Sequence, residues 1–404
     1  MAGSPGSDKF DRDVVVIGGC GHVGLPLAVA FADRGARVGI YDVSDTAVAT
    51  VNSGRLPFDE PGAAEVLRRV ADEGRLLASA DPSIVGGAEN VVVVIGTPVD
   101  EHLNPNQQAI PRALDGCVPY LRNGQMLILR STVFPGVTAL VEKMIAGLGV
   151  GIEVAFCPER IAEGKAMTEL FELPQIVSAR SPKGLERVAK LFGMLTNAVV
   201  EMSPEEAELA KLFTNVWRYI KFATANQFYM MANDRGLDFE RIRKGLSQDY
   251  PRAADMPGAG FAAGPCLFKD TMQLAAFNNN NFALGHTAMT INEGLPLYVV
   301  HRLEQRFDLS SMTVGILGMA FKGGSDDIRS SLSYKLKRIL EFKAGRVLTA
   351  DPYVAVDANL LPQEEVIAQS DLLVIGAPHP EYRDLKLGKP TADIWNVLGE
   401  GVRV

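Results

Sequence analysis

The sequence predicts an α/β protein in three parts, with two strand–helix alternations flanking a helical middle. Three observations carry this. Short β-branched runs recur through the first half, each followed by a helical pattern. Residues 203–235 contain no glycine and only Pro204 at the start, so they read as one long helix. From Thr313 the strand–helix alternation resumes.

In chain order, the predicted strands of the first part are 13–18 (DVVVIG), 37–42 (RVGIYD), 91–96 (VVVVIG), 126–130 (MLILR) and 152–156 (IEVAF). Strands alternating with helices imply a parallel sheet. Ser203, Pro204 and Glu206 form a cap and first turn for the long helix. A stretch rich in Gly and Pro, 251–265, interrupts, and helical texture resumes from about 270 to 306. Strands at 313–318, 346–351 and 371–376 complete the third part. The expected boundaries are 1–202, 203–306 and 307–404, several domains being the rule for a chain of 404 residues.

Composition narrows the function. The chain is 47% hydrophobic and 22% charged, with net charge −8, which argues against a nucleic-acid or membrane-surface binder. Cys20, Cys117, Cys157 and Cys266 are scattered, without CxxC spacing or a histidine cluster, so neither a disulfide framework nor a metal site is expected. The opening MAGSPGSDKFDRD has no apolar core, and no apolar run approaches the roughly 20 residues of a membrane span. A cytoplasmic protein is expected.

Directly after the first strand come Gly19, Gly21 and Gly24, with Cys20, His22 and Val23 between them, and the segment opens a helix. Glycines at this spacing permit a tight turn, close backbone approach to a pyrophosphate, and helix–strand packing. This is the fingerprint of a dinucleotide-binding Rossmann domain. Asp42 ends the next strand, where a carboxylate bonds the ribose hydroxyls and repels a 2′-phosphate, favouring NAD over NADP. Thr97 and Pro98, and Ser131 and Thr132, follow later strands and fall at the carboxyl edge of the sheet, where cofactors sit.

Three further segments complete the pattern. Lys211 and Asn215 share a face of the long helix, and Asn226 falls on the same side. Leu212, Phe213 and Val216 flank the pair, predicting a helix wrapped in protein. The second segment is FCPERIAEG (156–164). The third is GPCLFKD (264–270), which sets Cys266 one helical turn before Asp270, with Lys269 expected to point elsewhere.

Taken with PFDEPG (57–62), GTPVD (96–100), RSTVFPG (130–136), AELAKLFTNVWRY (207–219), PGAGFAAGPCLFKD (257–270) and GMAFKGGSDDIRSS (318–331), these motifs resemble the nucleotide-sugar 6-dehydrogenases of the UDP-glucose/GDP-mannose dehydrogenase family over nearly the whole chain. The resemblance implies oxidation of a UDP-hexose C6 hydroxyl to the carboxylate by two NAD+. It makes Cys266 the nucleophile that captures the aldehyde. Lys211 stabilises the oxyanions, and Asn215 and Asp270 hold a water. Glu159 and Thr132 arrange water as well, with Glu159 an acid/base in hydrolysis. The substrate contacts it implies are Glu159, Arg160, Lys211, Asn215, Arg252, Phe261, Gly264, Phe321, Lys322 and Arg329. Arg252 would reach a neighbouring subunit's site, implying a homodimer built on the central helices.

Three departures from the family pattern stand out: Ala262 and Ala263 precede Gly264, Gln227 follows Asn226, and His22 replaces an aromatic residue. CPER (157–160) and GAPHPEYR (376–383) lean toward the UDP-N-acetylhexosamine branch (UDP-ManNAc or UDP-GlcNAc) rather than UDP-glucose. Two other readings compete. A β-hydroxyacid dehydrogenase would need neither Cys266 nor a third α/β part. A silent nucleotide-sugar-binding relative would have no use for Cys266, Lys211, Asn215 and Asp270 together.

Overall fold

The computed structural model describes residues 10–97, 99–100, 106–401 and 404. Pro98, one of the expected cofactor contacts, lies outside them. The chain forms two compact units, Met1–Phe213 and Thr214–Val404.

The first unit is organised on six strands: β1 Arg12–Ile17, β2 Val38–Tyr41, β3 Leu76–Ser79, β4 Ala88–Val93, β5 Met126–Leu129 and β6 Glu153–Phe156. Their order is β3-β2-β1-β4-β5-β6, and every pairing is parallel. Strands buried on both faces read as continuous apolar runs, and side-chain parity divides them between two cores. Val14 and Val16 pack with the helix Gly24–Asp33, while Val15 and Ile17 pack with the helix Val137–Ala146. The chain leaves β1 for β2 on one side and returns beside it as β4. That reversal opens the crevice in which doubly wound sheets hold their ligands. β7 Gln175–Ser178 and β8 Val199–Met202 form a separate parallel pair.

The helix Pro204–Asn233 begins in the first unit and continues into the second. The second unit adds the helices Phe239–Ser247, Leu267–Phe277 and Ala283–Glu304, then β9 Thr313–Leu317, β10 Arg346–Ala350, β11 Leu372–Ile375 and β12 Thr391–Ala392. This sheet is also parallel, in the order β10-β9-β11-β12. Tyr229, Leu295 and Val299 from the helices share one core with Val314 and Ile316 of β9.

The structure departs from expectation at several places: the strand expected at 91–96 runs Ala88–Val93, and the helix Phe239–Ser247 was not foreseen. β3, β7, β8 and β12 were not expected; each has at most four residues. The helical region expected at 270–306 begins at Leu267 and breaks between Phe277 and Ala283, where Asn279 and Asn280 adopt φ of 53° and 58°. Asparagine tolerates this left-handed conformation, so the asparagine run stops the helix. The long helix is not wrapped on all sides. Leu212 and Val216 are buried, but Phe213 is 53% exposed. Among the described residues no helix is long and apolar enough to cross a membrane.

Candidate active site

In the first unit the chain leaves β1 through Gly18 (φ +72°), where a Cβ would stand 2.1 Å from the Val94 carbonyl oxygen. A Cβ on Gly19 would meet Ile40 at 2.9 Å, and one on Gly24 would meet the Gly18 oxygen at 2.6 Å. Gly21 differs, since its nearest neighbour would be 3.8 Å away. Gly19 and Gly24 therefore serve packing, and Gly21 leaves an open approach to the backbone. The next helix starts after Val23, and no side chain caps it. Amides at such a terminus suit a pyrophosphate, so these residues fit the NAD expected of them.

Asp42 Oδ2 accepts a hydrogen bond from Cys20 N at 3.0 Å and Oδ1 one from Ser44 N at 3.1 Å, tying the acid to the glycine loop. The His22 ring stacks 4.0 Å from that of Phe58. Ile95 N donates to Ser131 Oγ at 2.8 Å, and Thr97 Oγ1 donates to the Thr132 carbonyl at 2.6 Å. The ends of β4 and β5 thus bring Thr97, Ser131 and Thr132 together.

Glu159, just beyond β6, is buried and its carboxylate is saturated. Oε2 accepts from Arg130 Nε at 3.0 Å and Nη2 at 2.5 Å, while Oε1 accepts from Arg160 N at 2.6 Å and Ile161 N at 2.9 Å. Arg130 is itself buried, donating also to the Cys157 carbonyl and to Gln175 Oε1 while its guanidinium lies over Phe192. Burying two charges is tolerable only with this degree of pairing. Arg160 bonds the Pro174 carbonyl.

Two more buried acids shape these loops. Glu60 accepts from Gly164 N and Ala166 N, and Glu208 accepts from Gly136 N, Thr138 N and Thr138 Oγ1. Glu208 lies one turn before Lys211 on the long helix, so the helix start is clamped to the loop after Ser131 and Thr132. Sequence reasoning missed Arg130, Glu60 and Glu208 as organisers, although each sits inside a motif it had singled out. Lys211 is also buried.

In the second unit Asn215 Nδ2 donates to Asp270 Oδ2 at 2.5 Å, both residues being buried. Cys266 stands at the N-cap of the helix Leu267–Phe277 and is exposed. Asp270 N bonds back to the Cys266 carbonyl at 2.8 Å, so the two residues lie one helical turn apart. Lys269 does not point elsewhere, as the sequence suggested: its Nζ lies 3.3 Å from Asp270 Oδ1. Its long stem lets the ammonium fold back onto the buried acid.

Asn226 holds Gly260 on both sides, accepting from its N–H at 2.9 Å and donating to its carbonyl at 3.0 Å. Phe261 is buried edge-on to Trp395. Gly264 (φ +100°) lies against Phe321, whose Cδ2 would be 2.7 Å from an added Cβ. Lys322 follows in the same loop, its ammonium 5.6 Å from the Phe321 ring centre. Arg329 forks onto Asp327, with Nη2 to Oδ2 at 2.6 Å. Arg252 is exposed, stacked on Tyr250.

Comparison with known proteins agrees with this architecture. The NAD binding domain of the UDP-glucose/GDP-mannose dehydrogenase family matches residues 12–196, its central domain 205–294 and its UDP binding domain 315–400. A UDP-N-acetyl-D-mannosamine dehydrogenase of Yersinia pestis is 28% identical over 406 residues, covering 93% of this chain and 95% of the relative. Among solved structures, the UDP-D-ManNAc dehydrogenase of Pyrococcus horikoshii matches with a TM-score of 0.89 at 28% identity, over 96% of this chain and 97% of the other. A UDP-glucose dehydrogenase of Pyrobaculum islandicum matches equally, with a TM-score of 0.89 at 28% identity over 97% and 96%. With three domain matches in order and a glycine loop built for NAD, the chain belongs to the UDP-glucose/GDP-mannose dehydrogenase family and is an NAD-dependent nucleotide-sugar dehydrogenase.

Proposed function

We propose that this enzyme oxidises the C6 hydroxyl of a UDP-N-acetylhexosamine, with UDP-N-acetylmannosamine first among them, to the carboxylate in two steps. One observation carries the chemistry: an exposed Cys266 at a helix N-terminus, one turn above a buried Asp270 held by Asn215. A helix N-terminus favours the thiolate over the thiol. When bound, NAD+ supplies the hydride acceptor for both oxidations. Loss of hydride from C6 and a proton from its hydroxyl leaves an aldehyde. The Cys266 sulfur adds to that carbon, forming a C–S bond and an oxyanion, the thiohemiacetal. Loss of the second hydride collapses it to a thioester, and water cleaves the C–S bond to return the thiol and release the acid.

Lys211 takes the oxyanion in this reading, and Asn215 with Asp270 orients the water. Thr132 joins them at the water. Glu159 has no acceptor capacity to spare, so its part narrows to fixing the loop that carries Arg160. Phe261, Gly264, Phe321, Lys322, Arg329 and Arg252 contact the nucleotide sugar. Residues 1–202, 203–306 and 307–404 are the cofactor, central and nucleotide-sugar domains. The N-acetylhexosamine choice rests on the mannosamine dehydrogenases among the relatives and on CPER and GAPHPEYR. UDP-glucose is the second reading, favoured by the equal match to the Pyrobaculum islandicum enzyme.

The working form is a homodimer on the central helices. Trp217, Phe228 and Met231 are 58%, 45% and 52% exposed along one stripe of the helix Pro204–Asn233, an apolar surface suited to a second copy. Four free cysteines suit the reducing cytoplasm.

The test is turnover of a panel of UDP-sugars by wild type and Cys266→Ala. Wild type should release two NADH per sugar, fastest with UDP-N-acetylmannosamine. Cys266→Ala should form no uronate while binding NAD+ normally. A ratio of one NADH, or undiminished uronate from the variant, overturns the thioester route.

A further inference from the structure

The loop 318–324, which carries Phe321 and Lys322, is held from beneath by two buried side chains that nothing above has used. It leaves β9 through Gly318 (φ +96°), where a Cβ would lie 2.6 Å from Ala377 N. At Gly323 a Cβ would lie 2.1 Å from the Pro378 carbonyl oxygen. The loop is therefore flush against the segment after β11, with no room for side chains between them.

Asp351, the residue after β10, holds the start of the loop. Its Oδ2 accepts from Met319 N at 2.6 Å and Ala320 N at 2.9 Å, and its Oδ1 accepts from Tyr353 N at 2.8 Å. His379 holds the end, with Nδ1 3.0 Å from Gly324 N. An imidazole nitrogen that accepts carries no proton, so the proton sits on Nε2, which faces Asp351 Oδ2 at 3.0 Å. The ring is wholly buried, flanked by Tyr353 and, edge-on, by Tyr382. Both ends of the loop are thus held by side chains that hold each other.

What the loop presents explains why such support matters. The Phe321 ring lies on Gly264, two residues before Cys266. Asp42 has the same wiring in the first unit, accepting from the loop after β1. In the second unit His379 is added beside the acid.

We propose that His379 is a positioning residue for nucleotide-sugar binding: its Nδ1 acceptor holds the loop 318–324 so that Phe321 sits on Gly264 and Lys322 faces the nucleotide diphosphate. The proposal rests on the reading above that this loop contacts the nucleotide sugar. An ordered loop binds without the entropic cost of ordering it first.

Two amides separate the functions of the two nitrogens. His379→Asn keeps an oxygen near Nδ1, able to accept from Gly324 N. His379→Gln keeps an amide near Nε2 and loses that acceptor, and His379→Phe keeps only the volume. UDP affinity by calorimetry, with KM for UDP-sugar and for NAD+, is the readout. His379→Asn should bind UDP within about threefold of wild type. His379→Gln and His379→Phe should lose about tenfold, about 1.4 kcal/mol, with KM for NAD+ unchanged. Equal affinity in His379→Asn and His379→Gln overturns the proposal, as does parallel loss of NAD+ affinity or failure of both amide variants to fold. Wild type that does not bind UDP overturns the nucleotide reading, and this proposal with it.

Discussion

Three of the four cysteines are shut away from water, and burial is the first cause that pushes their thiols up: Cys20 to about 12, with the Asp42 charge second, Cys117 to about 11, and Cys157 to about 12. Such thiols carry almost no thiolate near neutrality and are poor nucleophiles. Cys266 is exposed at a helix N-terminus. Brief treatment of the native protein with iodoacetamide at about pH 8 should therefore modify one cysteine, mapped to Cys266 by peptide mass spectrometry. Substantial modification at Cys20, Cys117 or Cys157 would contradict this burial. Glu159 shows the opposite logic. Arg130 and two backbone amides occupy both of its carboxylate oxygens, tying the loop after β6 to the end of β5.

The long helix is two-sided in a way its composition conceals. Ala225, Asn226 and Tyr229 face the interior, while Trp217, Phe228 and Met231 face outward. Phe213, Trp217, Phe228 and Met231 follow one another at spacings of four, eleven and three, which keeps these large exposed apolar side chains on one side of the helix. Phe228→Glu would place a charge in the centre of the proposed dimer seam at a cost of several kcal/mol. Light scattering should show a monomer at micromolar concentration, against a dimer for wild type. A wild-type monomer, or an unchanged dimer in the variant, removes the central helix as the interface. The break at Asn279 and Asn280 gives the helix Ala283–Glu304 its own direction, which a single helix over 270–306 could not have had.

The two units repeat one device: a parallel sheet, a positive-φ glycine after its first strand, and an aspartate after the next strand that accepts from the loop amides. In the second unit that aspartate couples stability to pH. Burial pushes the Asp351 carboxyl up, but the hydrogen bond from His379 and the backbone donors outweigh it, leaving it below its usual value. A carboxyl depressed on folding contributes stability above its unfolded value, and that contribution is lost as pH falls through the folded value. Asp351→Asn should lower the melting temperature at pH 7, and the difference from wild type should shrink below about pH 4. A difference that grows on acidification would reverse the sign assigned to Asp351.

The local pattern of residues settled a good deal. β-branched runs such as VVVVIG and DVVVIG read as buried parallel strands, and glycines spaced as Gly19, Gly21 and Gly24 after such a strand leave few alternatives to a dinucleotide loop. The thiol and carboxylate one turn apart at Cys266 and Asp270 were legible for the same reason, since helical spacing is local. Tertiary packing decided the rest. Which acid is saturated by a buried arginine, where Lys269 folds back, which side of the long helix stays bare, and how His379 meets Gly324 all join residues distant in sequence or depend on what covers a face. No periodicity encodes those pairings. They follow from the requirement that every buried charge and amide find a partner once the chain has closed around it.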